Sequence, residues 1–165
     1  MGPPGAGKTT VGGHLAERLG VSLRDTDTDV ERAAGKTVAE IFVEDGEPAF
    51  REMEREAVAA ALVGHDGVLS LGGGAVMDPL TEDALQRYRE SGGVVVFLDV
   101  SLAAAAPRVG LNQARPLLVG SPRRRWQELM AARRPVYERL ADHQVLTDDR
   151  EPAQLAAEIA ERLGR

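Results

Sequence analysis

The chain reads as an α/β fold built on a parallel sheet, and three observations predict it. The first is Gly2-Pro3-Pro4-Gly5-Ala6-Gly7-Lys8-Thr9. This is the G-x-x-x-x-G-K-[ST] spacing of a loop that wraps phosphate and opens a helix. The second is a pair of apolar runs, Val68-Leu69-Ser70-Leu71 and Val94-Val95-Val96-Phe97-Leu98. Parallel strands covered by helices on both faces have this continuous hydrophobic character. The third is alternation: helical patterns lie between the strand-like runs, which makes neighbouring strands parallel.

Each element has its own signal. After the glycine-rich loop, Val11, Leu15 and Leu19 recur every four residues and Gly20 follows, which predicts an amphipathic helix with a glycine stop. Val21–Asp25 alternates and predicts a short strand. Thr37 with Glu40 forms a capping-box pattern ahead of Ile41-Phe42-Val43. Glu47 to Leu62 predicts a long helix with Phe50, Ala57 and Ala61 on one stripe. Asp78-Pro79 starts a helix between the two apolar runs, Val145-Leu146 is a short strand, and Pro152 to Leu163 is a last helix. Gln113 to Arg125, with proline, glycine, serine and four arginines, predicts a mobile loop. No linker, repeat or low-complexity tract breaks residues 1–165, so one domain is expected.

Composition narrows the chemistry. The chain has 165 residues and is 43% apolar, enough for one core. Its net charge of −6 leaves no global basic face and argues against a nucleic-acid partner. With no cysteine, disulfides, thiolate metal sites and a cysteine nucleophile are excluded. No apolar run approaches the ~20 residues of a membrane span. Almost nothing precedes the glycine-rich loop that could act as a signal peptide, so a soluble, cytoplasmic protein is expected.

The loop's residues make sense as a unit. Its glycines let backbone N–H groups close around phosphate oxygens, and the following helix directs its positive end at them. Gly5, Ala6, Gly7, Lys8, Thr9 and Thr10 are the expected nucleotide contacts. Lys8 can reach the β and γ phosphates, and the Thr9 hydroxyl can ligate Mg²⁺. Asp25-Thr26-Asp27-Thr28-Asp29 falls where a strand ends, and ligands of open α/β sheets bind at the carboxyl ends of strands. Asp25 and Asp27, as alternate residues of a strand end, are expected to face one site. One carboxylate can hold a Mg²⁺ water shell, and the other can accept a proton from an attacking hydroxyl. Asp29 is expected to cap the next helix.

Taken with Phe50-Arg51, Gly72-Gly73-Gly74, Arg115-Pro116-Leu117-Leu118, and Arg133 ahead of Pro135 and Tyr137, these motifs resemble the shikimate kinase family in order and spacing. The resemblance runs over nearly the whole chain. It implies a P-loop NTPase-type three-layer sandwich and an ATP- and Mg²⁺-dependent transfer of the γ-phosphoryl group to the 3-hydroxyl of shikimate, by a monomer. It implies Lys8, Asp27 and Arg115 as catalytic residues, with Thr9 and Asp25 on the metal. Arg51 and Arg133 would grip the substrate carboxylate, Asp27 and Gly73 its ring hydroxyls, within a set that includes Glu54, Gly72 and Gly74. From the residues alone, Arg51 and Glu54 form an ordinary intrahelical pair. Residues from about 111 to 124 would be a lid over ATP, with Arg115 at the phosphates, Arg108 near adenine or phosphates, and Arg150 in the adenine loop. Whether Arg133 or Arg134 faces the substrate stays open, as does whether Ser70 reaches the metal's water shell or bonds to backbone. Trp126 and Tyr137 are read as packing residues.

The sequence departs from this family in one respect. A P-loop is a strand–loop–helix unit, yet Gly2 follows Met1 directly. The family's central first strand has no counterpart, and only four strands can be read. Burying about five apolar side chains at roughly 1.5–3 kcal/mol each rivals a domain's whole stability of ~5–15 kcal/mol. An empty slot between neighbouring strands, or a substitute segment in it, is therefore expected.

Overall fold

The computed structural model describes residues 1–110 and 121–165. Arg115 and most of the expected lid lie outside the described residues. Among the described residues four short strands form, β1 (Leu23–Asp25), β2 (Val68–Ser70), β3 (Val96–Asp99) and β4 (His143–Leu146). They make two separate parallel pairs. In the first, Leu23 faces Val68 and Asp25 faces Ser70; in the second, Val96 faces His143 and Asp99 faces Leu146.

Helices surround these pairs. They are α1 (Lys8–Leu19), α2 (Thr26–Ala34), α3 (Val38–Glu44), α4 (Glu47–Gly64), α5 (Pro79–Glu90), α6 (Leu102–Arg108), α7 (Pro122–Leu140) and α8 (Pro152–Arg162), with a 3₁₀ turn at Ala75–Met77. Packing of α1 on α8, and of α4 and α7 on α5, puts a helical group on each side of the strands. The main core runs through Val11, Leu15, Val58, Leu85, Phe97 and Tyr137, and a smaller one joins Val30, Ile41 and Phe50.

Local chemistry explains most boundaries. The capping box forms in both directions: Thr37 Oγ1 accepts from Glu40 N, and the Glu40 carboxylate accepts from Thr37 N. Asp78 caps α5 by accepting from Leu80 and Thr81 N–H. Several sequence expectations need correction. The strand expected from Val21 begins at Leu23, and Val21 is exposed. Residues 122–125 of the expected loop are the first turn of α7, where Pro122 suits a position whose N–H needs no helical partner. Helix α6 and the body of α7 were not anticipated, and α2 begins at Thr26, ahead of the cap expected at Asp29. In α2 the cap is Asp25, whose side chain accepts from Asp27 N, and Asp29 lies inside the helix paired with Arg24 and Arg32.

A cavity of about 1050 Å³ separates the two strand pairs, with β2 on one side and β3 on the other. Val11, Leu15, Val68, Leu71, Val96 and Ile159 are among its lining residues. Among the described residues Met1 enters the gap: its amine donates to Val96 O at 2.8 Å and its carbonyl accepts from Leu98 N at 2.9 Å. That is one rung of a parallel ladder, and burial pushes the amine's pKa down to about 5. The expected slot is present.

Candidate active site

The functional side chains gather beyond the carboxyl ends of β1, β2 and β3. The glycine-rich loop takes its shape from two residues with positive φ, Gly5 at 86° and Gly7 at 78°, where a side chain would be strained. Its turn is closed by Ala6 N donating to Pro3 O, and α1 begins at Lys8. Lys8 Nζ donates to Pro3 O at 3.2 Å. Burial lowers its pKa, while Asp27 and Asp25 pull the other way. The carboxylates thus support a cation in a poorly solvated place, where its field on a phosphate is strongest.

Thr9 Oγ1 donates to Asp25 Oδ2 at 2.8 Å, so the two expected metal ligands meet at one point. Among the described residues no group of three or more histidine, cysteine or acidic side chains could hold a metal. Two oxygen donors with open surroundings fit Mg²⁺, which keeps several waters and phosphate oxygens in its shell. They do not fit a metal that needs a full protein cage.

Asp27 sits in the first turn of α2, so it reaches the site because a helix starts there, not because a strand alternates. Its Oδ1 is buried with no hydrogen-bond partner. Burial and the neighbouring Asp25 raise its pKa, and Lys8 opposes them. A buried acceptor left unpaired is costly unless a ligand supplies the donor. Between the two aspartates, Thr26 is fully buried. Its hydroxyl donates to Ser70 O and accepts from Gly72 N at 3.2 Å, tying the start of α2 to the glycine loop.

That loop explains its three glycines. A Cβ on Gly72 would run into the carboxylates of Glu54 and Asp27. One on Gly74 would run into the Arg51 guanidinium, and one on Gly73 would crowd Arg133 Nη1 at 3.3 Å and Gly2 O at 3.2 Å. The requirement is close approach, since none of the three has positive φ. Arg51 pairs with Glu54 at 2.6 Å and Glu47 at 3.1 Å, and lies over the Phe50 ring. The Arg51–Glu54 pair is therefore real, but it is half-buried against the site rather than solvated. Glu54 is 3% exposed, and burial raises its pKa against the pull of Arg51.

The two arginines of α7 point apart. Arg134 turns away, making a two-pronged bond to Asp99 at 2.7 and 2.9 Å. Arg133 faces the other side, against Gly73 and Tyr137. Arg108 donates to Gly5 O at 3.1 Å and to Thr147, so its head touches the phosphate loop from behind. Arg150 is ion-paired with Glu158 at 2.6 Å. Gly5, Ala6, Gly7, Thr9 and Thr10 fall on the loop and the first turn of α1, as expected.

Two residues read as packing also carry polar contacts. Trp126 Nε1 donates to Pro4 O at 3.1 Å, and the Tyr137 hydroxyl donates to Gly73 O. Both are buried, so the packing reading holds. Their spacing from Arg133, seven residues before and four after, was the available signal: it places all three on one face of a helix.

Comparison with known proteins agrees with this geometry. A family model described as shikimate kinase matches residues 4–164. The chain is 55% identical to a shikimate kinase of Thermobifida fusca over 163 residues, 99% of this chain and 92% of the relative. It is 56% identical to one of Saccharopolyspora erythraea over 164 residues, 99% of this chain and 91% of the relative. Among solved structures, shikimate kinase from Acinetobacter baumannii in complex with shikimate superimposes with a TM-score of 0.88 at 34% identity, over 98% of this chain and 89% of that one. A phosphate loop, a carboxylate pair at the end of β1, and two arginines facing a glycine loop are thus found on a chain that belongs to the shikimate kinase family.

Proposed function

We infer that this chain transfers the γ-phosphoryl group of ATP to the 3-hydroxyl of shikimate, releasing ADP and shikimate 3-phosphate. The observation that carries the reading is the unpaired Asp27 Oδ1, buried beside Lys8 and within reach of Gly72. An acceptor hydroxyl is the donor this oxygen lacks. Asp27 orients that hydroxyl and takes its proton as the oxygen attacks phosphorus in line. Lys8 and the backbone N–H groups of Gly5 to Thr9 hold the phosphates and spread the charge of the transfer. Thr9 and Asp25 would hold Mg²⁺, which supplies neutralisation of phosphate charge when bound.

Arg51 and Arg133 bind the substrate carboxylate from two sides, with Glu54 fixing the Arg51 head. Gly73 offers backbone to a ring hydroxyl, and Gly72 and Gly74 leave the space that the substrate and its side-chain partners need. Arg108, and Arg115 outside the described residues, complete the nucleotide side of the proposal. The ion pair of Arg150 with Glu158 leaves its backbone as the adenine contact. Among the described residues, no helix is long and apolar enough to cross a membrane.

The test is a coupled assay with ATP, Mg²⁺ and shikimate. ADP should form only with shikimate, one for each shikimate consumed. ADP release that ignores shikimate would overturn the substrate assignment and leave the nucleotide site standing.

A further inference from the structure

Three consecutive carbonyls of the phosphate loop each accept from a side chain. Pro3 O accepts from Lys8 Nζ at 3.2 Å, Pro4 O from Trp126 Nε1 at 3.1 Å, and Gly5 O from Arg108 Nη1 at 3.1 Å. The middle bond is the informative one. Residues Pro3 to Ala6 form a β-turn closed by Ala6 N donating to Pro3 O at 3.2 Å, with proline second and glycine third. Gly5 has φ 86°, the value of a type II turn at that position. Types I and II differ by a half-rotation of the central peptide, here Pro4–Gly5. In a trans peptide the C=O and N–H point in opposite directions. Holding the Pro4 carbonyl toward α7 therefore aims the Gly5 N–H to the other side, away from α7. Glycine makes either orientation accessible to the backbone, so something outside the turn has to select one.

We propose that Trp126 is a positioning residue for nucleotide binding: its indole N–H latches the Pro4–Gly5 peptide in the orientation that presents Gly5 N–H to phosphate. Trp126 is 7% exposed and packed among core residues, so its ring has little freedom and the latch is rigid. It stands on the first turns of α7, the helix whose next turns bring Arg133 and Tyr137 to the glycine loop. One helix face thus holds the backbone of both loops, by Trp126 at Pro4 and by Tyr137 at Gly73. The proposal rests on the nucleotide-binding reading of the loop and not on the identity of the acceptor.

The test uses Trp126→Phe, which keeps an aromatic ring and removes the donor. Losing one hydrogen bond corresponds to about threefold to tenfold in affinity. The Kd for Mg·ADP by calorimetry and the KM for ATP should rise by that factor, with the KM for shikimate within about twofold. A latch has this split; a merely structural role would move both KM values or neither. Trp126 is the only tryptophan of the chain, so a second measurement needs no substitution. Mg·ADP should change the emission of the unmodified protein at the same concentrations that saturate calorimetry. An unchanged Kd in the variant, or emission that ignores bound Mg·ADP, overturns the proposal. Failure of the shikimate reading shows elsewhere, as shikimate-independent ADP release by the unmodified chain.

Discussion

The ends of β2 and β3 and their middles, only a few residues apart, are packed in opposite ways. At the ends, Thr26, Gly72, Glu54, Arg51, Tyr137 and Gly73 are tied by short polar contacts, while the buried Asp27 Oδ1 has no hydrogen-bond partner among the described residues. In the middles, a cavity of about 1050 Å³ stands beside β2 and β3, and Met1 makes one rung with β3 there. The polar region is assembled from helix starts, loops and α7, each supplied by local chemistry. The strand region depends on a long-range apolar filling. A site and the sheet beneath it can therefore be specified by different parts of a chain, and perturbed separately.

The largest effect should come from filling the slot. Placing ~6–10 apolar, β-branched residues ahead of Gly2 should raise the urea midpoint, by at most on the order of 10 kcal/mol of burial. The gain is smaller if side chains lining the slot have to move. Equal midpoints in the two proteins would show that the sheet does not need a strand there.

Breaking the polar region at Lys8 should remove activity and leave the urea midpoint near its starting value. Lys8→Ala takes away the fixed cation between the phosphate loop and Asp27, and ADP release should drop to background. Near-normal turnover would sink the nucleotide assignment.

Asp27→Asn sharpens the contrast further. Turnover should fall about 10²–10⁴-fold, the range of a lost general base, with Mg·ADP binding little changed. Because burial raises the Asp27 pKa, the folded state favours its protonated form. That contribution to stability is present at low pH and lost as pH rises through the folded pKa. The asparagine variant should therefore be more stable than its parent at neutral pH. The same raised pKa puts the acid limb of kcat/KM above the ordinary aspartate value of about 4. A limb at or below that value would separate Asp27 from the proton transfer.

The smallest effects belong to the arginines. Arg51→Ala and Arg133→Ala should each weaken shikimate binding by roughly tenfold to a hundredfold, since a hydrogen bond to a charged group contributes about 1.5–3 kcal/mol. Calorimetry that finds the affinity unchanged in both would require another substrate. Arg134→Ala, which breaks the bond to Asp99 on the far side of α7, should cost stability more than affinity.

Signals that act across a few residues were readable from the chain alone. The phosphate loop, the Thr37–Glu40 box and the Asp78-Pro79 start each depend on partners two to five positions away, and each formed where expected. The triple glycine could be seen as a place of close approach, but not what approaches. Only folding brings Glu54, Asp27, Arg51 and Arg133 to it from three separate helices. The choice between Arg133 and Arg134 was likewise invisible along the chain, because both lie on one helix turn and differ only in what stands opposite. Asp99, at the end of a strand 35 residues away, takes Arg134. That leaves Arg133 to the site, since a half-buried guanidinium settles where a carboxylate compensates its desolvation. Trp126 and Tyr137 read as packing for a similar reason: burial follows from residue type, whereas the carbonyl that each polar end meets belongs to a loop placed by the rest of the fold.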